Sequence, residues 1–236
     1  MKIKVTGKSV TGKGRDHNED SYLIDLNIGL FIVCDGVGGR EAGEVASHLT
    51  VEGIQDFLNK EKINPKFLKE AIITVNRTVY QKSKESHSGM ASTLVMLKHY
   101  SGNNFLYAHA GDSRLYRLRG ENIQQLTVDH SWVNEQIKAG NLTVEEGKSH
   151  PKKNIILRAM GAEETIESDI SKIKVRNGDC FLLCSDGLSD VLWEAEILDI
   201  FERHSRQEDI LNNLIDLAVK KGSRDDVTAI ILRIEK

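Results

Sequence analysis

The sequence predicts an α+β fold in which two antiparallel sheets pack face to face, each covered on its outer side by a pair of helices. Three observations lead there. Strand-like apolar runs outnumber helical stripes, and they follow one another in hairpin-like order rather than alternating with helices. The helical stripes fall in two pairs, one after the early strands and one near the C-terminus. Stacking two sheets between two helix pairs is the arrangement that buries both stripes and both sheet faces.

Strand candidates come first, at Ile3–Lys8, Ser21–Leu26 and Leu30–Cys34. A helix follows from about Glu41 to Leu58, because Val45, Ala46, Leu49, Ile54, Phe57 and Leu58 recur on one helical face. The pair Asn64-Pro65 starts a second helix, a cap followed by proline at the first helical position. Phe67, Leu68, Ala71, Ile72, Val75 and Val79 are its stripe. Strands are predicted next at Thr93–Lys98, Asn104–Ala110, Arg114–Arg119 and Ile123–Leu126. Ser101-Gly102-Asn103 and Arg119-Gly120-Glu121-Asn122 supply turns between them.

The segment from His130 to Gly161 is polar. It holds a short helix at Trp132–Ala139 and a capping-box start at Thr143 with Glu146, and it reads as a flap packed on the main sheet rather than part of it. Strands return at Asp169–Val175, Cys180–Cys184 and Val227–Ile234. Between the last two lie helices near Glu194–Phe201 and Arg206–Lys221, the second with Ser205 and Glu208 as a capping box and Gly222 as its stop. No repeat, low-complexity tract or linker interrupts the chain, so residues 1–236 are read as one domain.

Composition narrows the function. The chain has 236 residues, 39% hydrophobic and 28% charged, which is a soluble globular balance able to bury a sizeable core. A net charge of −3 argues against a nucleic-acid partner. Cys34, Cys180 and Cys184 form no CxxC pair, and Cys34 and Cys184 sit inside apolar runs, so neither a disulfide nor a thiolate zinc site is expected. A reducing cytoplasm fits that usage. The N-terminus lacks an apolar signal region, and no apolar run approaches the roughly 20 residues a membrane span needs.

Five aspartates stand where apolar strands begin or end: Asp20, Asp35, Asp112, Asp186 and Asp225. A carboxylate at the mouth of a buried strand is costly unless its charge is compensated. One such residue is an ordinary turn former, but five imply strand ends converging on a shared cation, and oxygen-only ligands suit Mg²⁺, Mn²⁺ or Ca²⁺. Taken singly, each motif has a bland reading. Arg15-Asp16-His17-Asn18-Glu19-Asp20 is either a solvated loop or a guanidinium clamp for an oxyanion beside a carboxylate that holds a metal water. Asp35-Gly36-Val37-Gly38-Gly39 is either a strand-to-helix turn capped by Asp35 or a ligand loop in which Asp35 bridges cations and the Gly36 carbonyl faces one of them. It is neither a Walker loop nor a dinucleotide fingerprint, and no GxSxG elbow occurs.

Taken together, RDHNED, VCDGVGG, GMASTLV, GDSR, LTVDHSWV, HPKKNIILRAMG, LLCSDGLSD and GSRDDVT run in order from Arg15 to Thr228. This series resembles the metal-dependent protein phosphatases of the 2C type, in particular the compact bacterial serine/threonine phosphatases. The resemblance implies a four-layer αββα sandwich with a flap over about residues 130–161. It implies two Mn²⁺ or Mg²⁺ ions, with a third, weaker one. Asp35 matches the bridging carboxylate, Gly36 the carbonyl ligand, and Asp186 and Asp225 the remaining principal ligands. Glu19 and Asp20 match positions that hold metal-coordinated water. Asp112 and Asp190 match the third site, which shares Asp186, and Arg15 matches the phosphate-binding arginine.

Two divalent ions about 3.5–4 Å apart can activate a shared water and place it in line with phosphorus. Phosphoryl transfer asks mainly for positioning and charge neutralisation, so no Cys or Ser nucleophile is required. Val37 stands where eukaryotic relatives often carry a histidine acid. The leaving-group proton donor is therefore open, with a water of the metal centre preferred, and His17, His130 and His150 receive no catalytic role. The implied activity is hydrolysis of phosphoserine and phosphothreonine in proteins by a cytoplasmic monomer that opposes a bacterial serine/threonine kinase. A pseudophosphatase is disfavoured because Asp35, Asp186 and Asp225 are all present. Specialisation toward a phosphorylated anti-sigma-factor antagonist is left open.

Overall fold

The structure, a computed structural model, describes residues 1–38, 41–59, 64–85 and 89–235. One sheet is ordered β1 (Lys2–Val10), β11 (Val227–Glu235), β10 (Cys180–Cys184), β7 (Arg114–Arg119), β8 (Asn122–Gln125). The other is ordered β2 (Asp20–Asp25), β3 (Leu30–Val37), β5 (Leu94–Ser101), β6 (Asn104–Ala110), β9 (Asp169–Lys174), with β4 (Ala91–Ser92) added to β3. All the strand pairs are antiparallel. Helices α1 (Glu41–Leu58) and α2 (Pro65–Glu85) cover the second sheet. Helices α6 (Glu194–Arg203) and α7 (Gln207–Lys220) cover the first.

The period-2 alternation of a strand builds three apolar layers from this order. In β3, Leu30, Ile32 and Cys34 pack under α1 and α2, while Phe31 and Val33 face the opposite sheet. In β10, Cys180, Leu182 and Cys184 pack under α6 and α7, while Phe181 and Leu183 face inward. Phe31, Phe105, Phe181 and Leu232 are fully buried in the middle layer, so the two sheets are locked together by side chains from both. Close packing of this kind holds the strand ends at fixed positions.

The predicted α+β arrangement and its helix pairs are present, with local differences. The strand of β3 does not stop at Cys34: Gly36 and Val37 pair with Ser92 and Ala91 of β4, so Asp35 lies inside a strand and not at a helix cap. Helix α7 begins after Arg206 without a side-chain cap, so the Ser205–Glu208 capping box does not form. Gly222 does stop that helix, at φ +95°, with Gly222 N–H donating to Val219 and Ser223 N–H to Ala218. A one-turn helix α5 (Asp186–Ser189), absent from the sequence reading, follows β10. Gly39, within the glycine-rich loop, lies outside the described residues.

The flap carries α3 (Trp132–Lys138) and α4 (Val144–Ser149), the latter opened by the predicted Thr143–Glu146 capping box. Its two ends are tied down. Ser131 bridges Ile156, and Met160 and Ser92 exchange backbone hydrogen bonds of 2.7 and 2.9 Å, which fastens the flap to β4 beside Asp35.

Phe181→Ala removes a fully buried ring from the layer between the sheets, so it should destabilise the fold by about 3–5 kcal/mol. Urea unfolding followed by circular dichroism would measure this as a lower midpoint.

Candidate metal centre

The inward rows of both sheets continue past their apolar residues into polar ones at the same end of the sandwich. Asp35 extends the row of Phe31 and Val33. Asp20 lies on the inward row of β2 with Ile24 and pairs directly with Asp35 in the ladder. Like charges directly opposite one another repel, so this pair opposes folding. Ser185 follows the row of Phe181 and Leu183, and Thr228 precedes that of Ile230 and Leu232. The remaining acids reach the same end from connections. Asp112 follows β6, Asp186 opens α5, and Asp225 precedes β11.

Hydroxyls hold these strand ends. Ser185 Oγ donates to Asp20 Oδ2 at 2.7 Å, and Thr228 N–H donates to Ser185 Oγ at 3.0 Å. Thr93 Oγ1 accepts the Asp35 N–H at 2.9 Å and shares a hydrogen bond with Ser113 Oγ at 2.7 Å. Glycine allows the backbones to close. A Cβ on Gly36 would sit 2.1 Å from Gly43 O and 2.6 Å from Glu19 O. A Cβ on Gly187 would sit 2.0 Å from Asp226 O, so α5 packs on the Asp225–Asp226 turn only because that residue is glycine.

The electrostatics of the cluster are strained. Burial first, then Asp20, Asp186, Asp112 and Asp225 in turn, push the Asp35 carboxyl well above the usual carboxylate range. Asp112 is pushed the same way by burial and then by Asp186, Asp129 and Asp190. Burial pushes Asp20 up to about 7 against the hydrogen bonds from Thr228 and Ser185, and it pushes Asp186 up to about 7 with help from Asp190 and Asp225. Oδ1 of both Asp112 and Asp186 is sealed from solvent without a hydrogen-bond donor. Asp186 has another acceptor, the Asp35 carboxyl, within hydrogen-bonding reach.

A group of acceptors sealed together without donors fits hard divalent cations. Asp35, Gly36 through its carbonyl, Asp186 and Asp225 would hold them, with Asp20 and Glu19 beside them. Oε1 of Glu19 is buried against Gly43, at the first turn of α1. Asp112 and Asp190 lie to the side of Asp186. Asp190 is taken by a flap residue, Lys153, whose Nζ stands 2.5 Å from Oδ2.

The predicted phosphate clamp, Arg15, sits at the rim with its guanidinium spread over three carboxylates: Asp225 at 2.6 Å, Asp226 at 3.0 Å and Glu19 at 3.3 Å. Asp226 is the functional residue missed from sequence. It is buried, and its carboxylate accepts from Gly12 N–H at 2.7 Å, Glu19 N–H at 2.8 Å and Arg15. It thereby ties the RDHNED loop to the start of β11. The doublet Asp225-Asp226 before an apolar strand was the available signal.

The cysteines are outside this chemistry. All three are free and buried, and burial pushes the Cys34 thiol far up and the Cys184 thiol up to about 12. His130 accepts from Gly111 N–H at 3.3 Å and stacks on His109, so it braces the Gly111–Asp112 turn. His17 is exposed on the loop, and the half-buried His150 packs against Trp132.

Comparison with known proteins shows the same family and fold. The sequence pattern of the family described as Protein phosphatase 2C matches residues 6–221. The chain is similar to Protein phosphatase PhpP of Streptococcus pneumoniae, 33% identical over 237 residues that cover 95% of each. Its structure is similar to the crystal structure of serine/threonine phosphatase Stp1 from Staphylococcus aureus. That match has a TM-score of 0.94 and 32% identity, over 100% of this chain and 96% of that one. It is also similar to the catalytic domain of the serine threonine protein phosphatase PstP, solved in complex with 2 manganese ions. There the TM-score is 0.89 at 30% identity over 99% of each chain.

Two outcomes follow. Asp20 and Asp186 hold protons more tightly in the fold than in the unfolded chain, where carboxylates titrate near their ordinary value. Raising the pH toward and through about 7 therefore ionises them in the fold and lowers stability, because the folded state then binds more protons than the unfolded one. Thermal melts in EDTA should fall in midpoint between pH 5.5 and 8, and Mn²⁺ should flatten that slope. A flat slope in EDTA would contradict the strained cluster. Asp226→Ala strands two backbone donors and frees Arg15, which should cost about 2–5 kcal/mol by urea titration.

Proposed function

We propose that this chain, which belongs to the protein phosphatase 2C family, carries its active site in the carboxylate pocket at the open end of the sandwich. The protein is a metal-dependent protein serine/threonine phosphatase. The observation that carries the site assignment is the convergence of buried carboxylates at one end of the two sheets, in which Oδ1 of Asp112, Oδ1 of Asp186 and Oε1 of Glu19 are sealed from solvent without a donor. In this reading Asp35, the Gly36 carbonyl, Asp186 and Asp225 hold two Mn²⁺ or Mg²⁺ ions, and Asp112 and Asp190 with Asp186 hold a weaker third. Bound ions supply charge neutralisation at the phosphoryl oxygens and lower the pKa of the attacking water.

The chain's own groups do the rest. Asp20 is fixed by Ser185 and Thr228, so it presents an oxygen atom that orients water without moving, and Glu19 offers a second through Oε1, buried beside Gly43. Arg15 reaches the pocket from the rim, and its planar fork passes from carboxylates to the entering phosphate with the same two-point geometry. The buried thiols of Cys34 and Cys184 do not compete as nucleophiles, so water attacks phosphorus directly, its P–O bond forming as the bond to the serine or threonine oxygen breaks, and that oxygen leaves with a proton as the alcohol.

Residues 1–236 act as one catalytic domain with a flap over about 130–161. The substrates in this reading are proteins phosphorylated by a serine/threonine kinase in the cytoplasm. Three free, buried cysteines support a reducing compartment. Among the described residues, no helix is long and apolar enough to cross a membrane.

Turnover of p-nitrophenyl phosphate and of a phosphothreonine peptide should require Mn²⁺ or Mg²⁺ and stop in EDTA. Asp35→Asn should lower kcat by more than about 100-fold while the protein still folds, since even groups that only support a ligand cost 10–100-fold. Full turnover in EDTA would overturn the assignment.

A further inference from the structure

A cavity of about 550 Å³ runs from the metal corner to the underside of the flap. Asp112 and Asp190 form its inner end. Its walls mix apolar with polar side chains: Val133, Ile137 and Val144 come from the flap and Leu192 and Trp193 from the turn between α5 and α6, while Gln125, Asn134 and Glu194 are polar or charged. Two of these are unusually open for their type, Trp193 at 42% and Val144 at 51% exposure, so the mouth presents an uncovered apolar surface.

The charged groups of the cavity distinguish it from a packing gap. Arg114 is paired with Asp129 at 2.6 Å and Lys153 with Asp190 at 2.5 Å. Lys148 is different. It is half-buried and lies 3.7 Å above the Trp193 ring, and its Nζ donates to Leu192 O at 3.3 Å. Among the described residues no carboxylate is within ion-pair distance of it. A partly desolvated ammonium with no direct ion-pair partner, drawn only at longer range by Asp190 and Glu196, beside the apolar part of the hollow, favours an acidic partner that brings an apolar group with it.

We propose that this cavity is a substrate subsite that takes an apolar side chain together with a neighbouring aspartate or glutamate. These would come from the stretch of phosphoprotein adjoining the phosphorylated residue, with Lys148 as the specificity-determining cation. The proposal rests on the reading of the carboxylate pocket as the active site, because that places the phosphorylated residue at the inner end of the cavity. The apolar walls take the side chain, and the Lys148 ammonium takes the carboxylate while its stem stays on Trp193. The subsite does not touch the reacting atoms, so it acts on binding and leaves the turnover of a small phosphate ester unchanged.

The test uses the intact enzyme with Mn²⁺ and phosphothreonine peptides that differ in one dipeptide, Leu-Glu, Leu-Lys or Ala-Ala, placed in turn at each flanking position. The wild type should prefer Leu-Glu at one position by about 10-fold in kcat/KM, expressed in KM. Lys148→Met keeps the packing on Trp193 and should erase the difference between Leu-Glu and Leu-Lys. Lys148→Glu should reverse it. Turnover of p-nitrophenyl phosphate should be unchanged in both variants, which also reports that they fold. Equal kcat/KM for the three peptides at every position overturns the subsite alone. So does an unchanged preference in Lys148→Glu, or a parallel loss on peptides and p-nitrophenyl phosphate. Metal-independent turnover by the wild type overturns the active-site reading and the subsite with it.

Discussion

Repulsion among buried carboxylates at one end of the sandwich is the constraint around which the rest of this structure is arranged. Asp20 faces Asp35 across a ladder, and Asp186 and Asp112 press on the same point from two turns. Among the described residues the cations beside the cluster stay at its edge: Arg15 stands at the rim and Lys153 pairs with Asp190. A cluster in this condition disperses unless the scaffold forbids it. The scaffold does so with hydroxyls on Asp20 and on the Asp35 backbone, and with glycines where backbones touch. The Asp226 clamp does the same between the first loop and the last strand.

The sandwich suits this task because its middle layer is filled from both sheets. Each polar residue on an inward row is a fixed number of residues from a fully buried ring or branched chain, such as Phe31 for Asp35 or Phe181 for Ser185. A strand cannot shift by one residue without turning its whole apolar row outward. Register therefore fixes Asp20 and Asp35 as firmly as it fixes the core, and sites built on strands are held more precisely than sites built on loops. The price is stability withheld from the metal-free protein.

Much of this was legible in the sequence, because alternation and helical stripes report burial directly. The runs Leu30–Cys34 and Cys180–Cys184, the stripe of α2 and the Thr143–Glu146 box all appear where their patterns put them. The convergence of the strand-end aspartates was also legible, since a charge at the end of an apolar run needs a reason. Three features were not. The pairing of Gly36 and Val37 with β4 depends on a partner distant in sequence, so Asp35 looked like a strand end. The capping signal at Ser205 and Glu208 was local and lost to the placement of α7 against β11 and β1, where Gln207 reaches the Ile231 and Lys4 carbonyls. Asp226 looked like a repeat of Asp225, although the two side chains diverge, one to the rim and one to the interior.

The same electrostatics orders events at the site. A phosphate monoester carries up to two negative charges, and among the described residues the pocket presents carboxylates and the Arg15 guanidinium, already shared among three of them. Coulomb repulsion in a partly desolvated site is severalfold stronger than in water, so the bare pocket rejects the substrate that the loaded one attracts. In the proposed site charge compensation would therefore precede phosphate entry, and Arg15 would register it. Its partners Asp225 and Glu19 belong to the carboxylate group itself, so whatever draws those oxygens inward loosens their hold on the guanidinium. Asp226, buried and tied to two backbone donors, keeps its contact with Arg15 throughout and serves as the pivot. Under that proposal carboxylate pairing and phosphate binding would use the same side chain in succession, which is why an arginine at this rim needs both a fixed partner and two that can let go.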